Sequence, residues 1–240
     1  MPSLLHSGTR ARTGAAVLLA GPLLSWLAEL VTAAAWQDPP YAPLHNWISH
    51  LGTRGPEAPF GQVANSPLAW VMNTGWVAYG ALLVVGVLTL VDLRSGWRGV
   101  ALPVLAVLSG VGVATVGLVH GSQESIDNGQ IVLHMLGAQT VIATGNIFAI
   151  VAGASAARLG LGGGYARTAI TLGIIGLISF AIFMVDARGG IGWNLGMFER
   201  GAVYPIMVHH ALLGSLLLHR RAEPRNGALP VLAPDRVEAA

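Results

Sequence analysis

The sequence predicts an all-α integral membrane protein with six transmembrane helices and both termini in the cytoplasm. Of its 240 residues, 53% are hydrophobic and 10% are charged, and the mean hydropathy is +0.62. A soluble domain carries about 25% charged residues, so most of the surface of this protein must face lipid. The chain has no cysteine, which excludes disulfides, thiolate metal sites and cysteine nucleophiles.

Six stretches reach the length of roughly 20 mostly apolar residues that a spanning helix needs. They cover residues 14–36, 67–91, 98–120, 131–157, 165–187 and 201–218. Together they predict one transmembrane domain over residues 14–218, between a cytoplasmic segment, residues 1–13, and a disordered cytoplasmic tail, residues 219–240. The first stretch also has features of a secretory signal ending at Ala33-Ala34-Ala35. The length of the run, and Glu29 late within it, favour a retained helix.

The distribution of basic residues predicts the orientation, because basic residues concentrate in the cytoplasmic loops of membrane proteins. All 13 basic residues are arginines. With the N-terminus inside, the inner side holds Arg10, Arg12, Arg94, Arg98, Arg158, Arg167, Arg220, Arg221, Arg225 and Arg236, and the outer side holds only Arg54, Arg188 and Arg200. This asymmetry predicts a multi-pass protein of the cell inner (plasma) membrane. No basic patch of the kind that binds nucleic acid is present.

The first outer loop has the residue spacing of a short amphipathic helix. Its apolar side holds Leu44, Trp47, Ile48 and Leu51, and its polar side holds His45, Asn46, Ser49 and His50. Gly52 follows where such a helix would end. We expect the apolar side to lie on the membrane interface, where Trp36, Trp70 and Trp193 are also expected, and the polar side to face water or the protein.

Polar and ionisable residues of the predicted spans are concentrated in the outer half of the bilayer. Such groups are costly in lipid, so a cluster of them indicates a functional site. The cluster comprises Glu29, Asn73, His120, His134, Gln139, Asp186, Glu199 and Arg200. These residues predict a polar cavity between the helices that opens to the outside. Glu29 must be protonated or paired, and Arg188 and Arg200 are its candidate partners.

The imidazole and carboxyl groups of this cluster are candidates for chemistry. The candidate catalytic residues are His120, His134, Glu29 and Asp186. His120 and His134 lie at facing ends of consecutive helices, so they are also candidate zinc ligands, with a carboxylate as the third ligand. Haem ligation by His209 and His134 is a further hypothesis. The alternative is that each histidine forms hydrogen bonds at a helix end or between helices, since no His-x-x-x-His motif is present.

A second set of residues is predicted to bind a ligand. Arg200 and Glu199 have the chemistry to meet a lipid headgroup, and an ion pair at the start of the sixth span explains them equally well. The predicted ligand-binding residues are His45, Asn46, Ser49, His50, Asn73, Glu199 and Arg200.

Small residues recur at every fourth position in two of the spans. They are Gly145, Ala149 and Gly153 in the fourth span and Gly110 and Ala114 in the third. This spacing lets helices approach closely. It predicts either a homodimer face or ordinary packing within the chain, and we favour the second interpretation.

Several short motifs occur together in the loop and in the later spans. They are Asn46-Trp47-Ile48-Ser49-His50-Leu51-Gly52, Ser66-Pro67 leading to Asn73, His134 with Gly137 and Ala138, and Gly196-Met197-Phe198-Glu199-Arg200 with Tyr204. In these motifs the chain resembles the Domain of Unknown Function 998 family over roughly residues 14 to 218, which implies a six-span bacterial membrane protein. A fainter resemblance, through Ile48-Ser49-His50-Leu51-Gly52-Thr53 and Pro56-Glu57, is to the Frag1/DRAM/Sfk1 proteins and implies a connection with membrane lipids.

These observations predict a protein that binds or processes a membrane lipid or other amphiphile in the outer cavity. The alternative is a non-catalytic scaffold or assembly partner, whose polar groups pair with one another and leave no cavity. A metal- or haem-dependent enzyme is less consistent with the sequence. A transporter of a small solute or proton is also less consistent with the sequence, because the chain shows no inverted repeat and no broken helix pair.

Overall fold

The computed structural model describes residues 3–189 and 194–220. Its helices are α1 (Gly8–Ala35), α2 (Ala69–Leu90), α3 (Trp97–Leu118), α4 (Gln123–Asp127), α5 (Ile131–Gly153), α6 (Gly163–Asp186) and α7 (Leu195–His219). Three short 3-10 segments lie in the connections, at Ser49–Gly52, Pro59–Gly61 and Ala156–Leu159. Trp193, and the predicted tail from Arg221 onwards with Arg225 and Arg236, lie outside the described residues.

Within the described part of the chain, every helix except the short α4 is long and apolar enough to cross a membrane. This confirms the six predicted spans, and the chain is a multi-pass membrane protein. Helices α1 and α7 each begin six residues before the predicted span. The added turns contain Arg10, Arg12, Glu199 and Arg200. Hydropathy excluded these charged residues, although they continue the helices.

The six long helices form a ring in chain order. Helix α1 packs against α2 and α7, the pairs α2–α3, α3–α5, α5–α6 and α6–α7 complete the ring, and α5 also contacts α7 across it. Residues 36–68 and 119–130 connect helices at one end of the bundle, where α6 also ends and α7 begins. We call this the cap end. The opposite end, which we call the terminal end, contains the starts of α1 and α6 and the end of α7. The predicted orientation makes the cap end the outer end.

Helices approach closely where small residues meet. A Cβ added to Gly112 on α3 would lie 2.8 Å from the carbonyl oxygen of Gly137 on α5, so this contact requires glycine. The three glycines considered for a homodimer face also contact other helices of the chain: Gly110 meets Gly80, Gly145 meets Ile206, and Gly153 meets Ala166. Packing within the chain therefore accounts for these glycines.

The connection from α1 to α2 differs from the predicted interfacial helix. Where the amphipathic helix is predicted, residues 44–51, the structure has turns followed by the 3-10 segment Ser49–Gly52. Trp47 and Ile48 from the predicted apolar side are buried, and so are Ser49 and His50 from the predicted polar side. The segment therefore lies within the end of the bundle and not on the membrane interface. We call residues 41–53 the cap.

Candidate functional site

The cap is a buried segment with little regular secondary structure. The backbone N–H and C=O groups of such a segment must find partners elsewhere, because an unpaired buried polar group is costly. Here many of the partners come from the start of α7. Two adjacent residues, Glu199 and Arg200, are both buried there, and successive residues of a helix point about 100° apart.

Arg200 binds carbonyl groups of the cap. Its Nη1 donates hydrogen bonds to the carbonyl oxygens of Asn46, at 2.9 Å, and Pro43. Its Nη2 donates to the hydroxyl of Tyr41, whose ring centroid lies 5.4 Å from the guanidinium carbon. Because the guanidinium is a rigid fork of donors with no acceptor, one arginine can bind several carbonyls at once.

Glu199 binds amide groups of the same segment. Its Oε2 accepts a hydrogen bond from the backbone N–H of Ile48, and its Oε1 lies 3.4 Å from the backbone nitrogen of Ser49. A carboxylate only accepts hydrogen bonds when ionised, so it complements the two N–H groups as Arg200 complements the carbonyls. Together the two side chains bind both the N–H groups and the C=O groups of the cap backbone.

Glu29 on α1 provides the negative charge that pairs with Arg200. Its Oε1 lies 3.4 Å from Nη2 of Arg200 and accepts a 2.6 Å hydrogen bond from the hydroxyl of Tyr204. This confirms the prediction that Glu29 is paired and selects Arg200 as the partner. Sequence reasoning missed the roles of Tyr41 and Tyr204. The spacing of Tyr204, four residues after Arg200, places both on one face of α7 and was an available signal.

Two other predicted ligand-binding residues also bind the cap backbone. Asn46 accepts a 2.8 Å hydrogen bond from the N–H of Ala42, and Nδ2 of Asn73 donates a 2.9 Å hydrogen bond to the carbonyl oxygen of Gly52. His45 is exposed on the surface of the cap. The structure therefore gives both asparagines a role in the shape of the cap.

His50 is the cap residue whose polar atoms lack partners. Its side chain is 1% exposed, and neither ring nitrogen has a hydrogen-bond partner among the described residues. It stacks on Trp47 with 5.0 Å between ring centroids, and the indole nitrogen of Trp47 is unpartnered in the same part of the structure. Burial, together with the nearby His134 ring, lowers the pKa of His50 to about 4. His50 is therefore neutral at pH 7.

Two small cavities lie beside and beneath the cap. The lateral cleft, of about 30 Å³, lies between the cap, α5 and α6, and its lining includes Trp47, His50, His134, Met135, Phe180 and Met184. The central cavity, of about 60 Å³, lies deeper, and its lining includes Ser25, Ile48, Trp76, Tyr79 and Met207. Ser49, Ala138, Ile142 and Glu199 line both. The cap therefore fills the space in which the sequence predicts an open polar cavity. The two small cavities that remain beside and beneath the cap are lined mostly by apolar residues.

The candidate catalytic residues are dispersed around the cap end. His120 is exposed, His134 is buried with its Nδ1 2.6 Å from the carbonyl oxygen of Val119, and Asp186 is buried at the end of α6. Among residues 3–189 and 194–220, no three His, Asp or Glu side chains group as a metal ion would require. The pair His120 and His134 therefore gains no third zinc ligand from the described residues.

The haem hypothesis is wrong because its two histidines lie at different depths. His134 is three residues from the start of α5, and His209 is 14 residues from the start of α7. At a rise of 1.5 Å per residue these positions are about 5 and 21 Å from the cap end, too far apart to bind one iron. Nε2 of His209 instead lies 3.0 Å from the hydroxyl of Tyr165.

Comparison with known proteins identifies the family. A family model described as Protein of unknown function (DUF998) matches residues 19–216, a match that reaches from α1 to α7. The chain belongs to this DUF998 family. No curated protein and no solved structure matches the chain significantly.

Two of the motifs that resemble DUF998 proteins meet in the structure of this DUF998 protein. The first lies in the cap, and the second begins at Gly196 on α7. A Cβ added to Gly196 would lie 2.8 Å from the carbonyl oxygen of Pro43 and would also meet the carbonyl oxygen of Asn46. The cap and α7 thus approach so closely that a side chain at this position would push them apart.

Proposed function

We propose that this DUF998 protein binds an uncharged amphiphile at the cap end. The polar head of the ligand would enter the lateral cleft, and its apolar chain would lie against the side chains of α5 and α6 that line the cleft. The observation that carries this proposal is the buried His50 ring in the cleft wall, whose two nitrogens have no partner among the described residues. The predicted orientation places this cleft at the outer leaflet.

The chemistry of the cleft favours a neutral head group. A neutral imidazole offers one donor and one acceptor, and the indole N–H of Trp47 offers a second donor, which together suit a hydroxyl or a carbonyl. The cleft volume of about 30 Å³ has room for about two water-sized groups. A hydroxyl or carbonyl group fits this space, and a phosphate does not.

The walls of the cleft suit an apolar chain. Met135, Phe180 and Met184 line it and are half-buried, and methionine adapts its shape to a ligand more readily than other apolar residues. Helix α6 is also the least buried of the six spans. A chain lying there would contact protein on one side and lipid on the other.

The charged residues have a different role in this proposal from the one that the sequence predicts. The Nη groups of Arg200 and the carboxylate of Glu199 bind the cap backbone, so they support the cap beside the cleft and do not grip a charged headgroup. The proposed ligand contacts are Trp47, Ser49, His50 and His134. The proposal retains the amphiphile and replaces the anionic headgroup with a neutral one.

Photolabelling tests this proposal. The probe is a long-chain alcohol with a photoreactive group in its chain, added to purified protein in detergent, and the labelled peptides are mapped by mass spectrometry. We expect labels on α5 and α6 near Met135 and Met184, and we expect unlabelled alcohol to compete while the phosphate ester of the same alcohol does not. His50→Leu should lower the labelling, and His45→Leu, in the exposed cap histidine, should not. Unchanged labelling of His50→Leu, or equal competition by the phosphate ester, would overturn the proposal.

A non-catalytic scaffold is the second candidate function. It is favoured by the pairing of Glu29 and Arg200 and by the use of Glu199 on the cap backbone, because these contacts leave the charged groups engaged within the protein. A scaffold predicts no saturable labelling by the alcohol probe and no difference between the two histidine variants.

A further inference from the structure

Two tyrosine–histidine pairs lie between the middle of the bundle and its terminal end. The hydroxyl of Tyr79 on α2 lies 2.7 Å from Nδ1 of His210, and the hydroxyl of Tyr165 on α6 lies 3.0 Å from Nε2 of His209. Both histidines are fully buried. The other nitrogen of each ring, Nδ1 of His209 and Nε2 of His210, has no partner among the described residues. Apolar packing does not require these polar groups, which are costly inside a membrane.

The two pairs are adjacent, so they form one series of groups. The ring centroids of His209 and His210 are 5.5 Å apart, and the Phe148 ring contacts both. Each ring has one nitrogen without a described partner, and a water molecule that hydrogen-bonds to both of these nitrogens would connect the rings. The series then runs from Tyr79 through His210 and His209 to Tyr165.

The series covers the part of the bundle between its middle and its terminal end. Tyr79 is ten residues from the cap end of α2, and Tyr165 is two residues from the start of α6 at the terminal end. At 1.5 Å per residue, these positions are about 15 Å below the cap end and about 3 Å above the terminal end. The four side chains therefore connect the middle of the bundle to its terminal end.

The central cavity continues the series towards the cap. Tyr79 lines this cavity in the middle of the bundle, and Glu199 and Ser49 line it near the cap. Ser25 adds a fourth hydroxyl-bearing or acidic residue to its wall. With a volume of about 60 Å³, the cavity has room for about four water molecules. Because Glu199 also lines the lateral cleft, polar groups follow one another from that cleft to the terminal end.

We infer that Glu199, Tyr79, His210, His209 and Tyr165 form a proton-transfer path across the bundle, with water in the central cavity completing it. In one direction, Glu199 takes up a proton from the lateral cleft and passes a proton through the water of the central cavity to the hydroxyl of Tyr79, as this hydroxyl gives its own proton to Nδ1 of His210. His210 then releases its Nε2 proton to a water molecule between the two rings, and this water gives one of its own protons to Nδ1 of His209. His209 passes its Nε2 proton to the hydroxyl of Tyr165, which releases its own proton at the terminal end. Each step breaks one O–H or N–H bond and forms another, so one proton enters and one leaves without any redox partner.

This path is independent of the amphiphile proposal. Its tyrosines and histidines lie on α2, α6 and α7 and are not proposed ligand contacts; only its first member, Glu199, lines the lateral cleft beside those contacts. Loss of amphiphile labelling in His50→Leu would leave the path intact, and loss of proton transfer in the variants below would leave the labelling intact.

Proton flux into liposomes tests the path. The full chain is reconstituted into phosphatidylcholine liposomes containing a pH-sensitive dye, and a potassium gradient with valinomycin sets the voltage that drives protons. We expect faster flux than in protein-free liposomes and a loss of at least about ten-fold in Tyr79→Phe and Tyr165→Phe, which remove only a hydroxyl from the relay. His210→Phe should show the same loss.

Ser109→Ala is the matched control, because it removes a buried hydroxyl that lies outside the proposed path and donates a 3.5 Å hydrogen bond to the carbonyl oxygen of Val141. This variant should conduct as the natural chain does. Flux no faster than in protein-free liposomes would overturn the path. Equal flux in Tyr79→Phe and the natural chain would overturn it as well, since the phenylalanine variant preserves the packing.

Discussion

Glu199 and Arg200 are neighbours on α7 and bind opposite kinds of backbone group in the same loop. The carboxylate of Glu199 accepts from the amide of Ile48, and the guanidinium of Arg200 donates to the carbonyl oxygen of Asn46. A loop buried at the end of a membrane bundle needs both kinds of partner, because neither lipid nor apolar side chains can supply them. The adjacent acid and base thus explain how a short, irregular segment remains buried.

Removal of the arginine should destabilise the protein strongly. Arg200→Ala removes the hydrogen-bond donor of the Pro43 and Asn46 carbonyls and the positive charge that pairs with Glu29. Loss of one member of a buried ion pair costs about 3–5 kcal/mol. Thermal unfolding in detergent should show a clearly lower midpoint. Arg54→Ala removes an exposed arginine just after the cap and should change the midpoint little. Equal midpoints for the two variants would contradict the role given to Arg200.

The hydroxyl of Tyr204 should contribute through Glu29. Tyr204→Phe removes a 2.6 Å hydrogen bond to the Glu29 carboxylate, and hydrogen bonds to charged groups contribute about 1.5–3 kcal/mol. A double-mutant cycle with Glu29→Gln, measured by the free energy of unfolding in detergent, should show coupling between the two changes. Additive effects of the two substitutions would mean that this contact does not stabilise the fold.

The close contact between α7 and the cap should not tolerate a methyl group. Gly196→Ala places a Cβ 2.8 Å from the carbonyl oxygen of Pro43, so the cap must shift. We expect faster cleavage of the cap by an added protease. Gly163→Ala is the control, since a Cβ at this helix start has no atom within 4 Å and alanine favours helix over glycine. If the protease cleaved the cap of Gly196→Ala no faster than that of Gly163→Ala, the contact would have room for a methyl group.

Acid should destabilise the cap through His50. Its pKa is lowered to about 4 in the folded protein from about 6.5 in an unfolded chain. Between these values the unfolded chain binds more protons, so the contribution of His50 to stability is complete above pH 6.5 and is lost as the pH falls towards 4.

At pH 5 this loss amounts to about 2 kcal/mol for one such histidine. The melting midpoint of the natural chain should therefore fall between pH 7 and pH 5 by more than that of His50→Leu. His45→Leu, in which an exposed histidine is replaced, should follow the natural chain. The same fall in all three proteins would assign the acid sensitivity to other groups.

The spans were predictable because their signal is local. Each helix carries its own apolar run, and insertion of that run into lipid is favourable wherever the rest of the chain lies. The helix ends were predicted less well at Gly8 and Leu195, because charged residues in the first turns lower the hydropathy of segments that are nevertheless helical. The pairing of Glu29 with an outer arginine was also predictable, since an isolated carboxylate in a span needs a partner.

The position of the cap was not predictable from its own residues. The amphipathic spacing of residues 44–51 fits a helix on the membrane interface as well as a segment buried in protein. What decides between them is the contact between Ile48 and Glu199, which are 151 residues apart in the chain. Sequence spacing carries no signal for such a contact. The same limit applies to the zinc and haem hypotheses, which depended on distances between helices.

The most direct test of the buried cap uses the absence of cysteine from the natural chain. A single introduced cysteine is then the only thiol, and its rate of reaction with a water-soluble maleimide reports its exposure. Ser49→Cys lies in the buried part of the cap and His45→Cys in the exposed part. We predict that His45→Cys reacts quickly, that Ser49→Cys reacts at least about 100-fold more slowly, and that adding Arg200→Ala to Ser49→Cys restores fast reaction. Reaction of Ser49→Cys as fast as that of His45→Cys in the otherwise natural chain would contradict a cap held inside the bundle by α7.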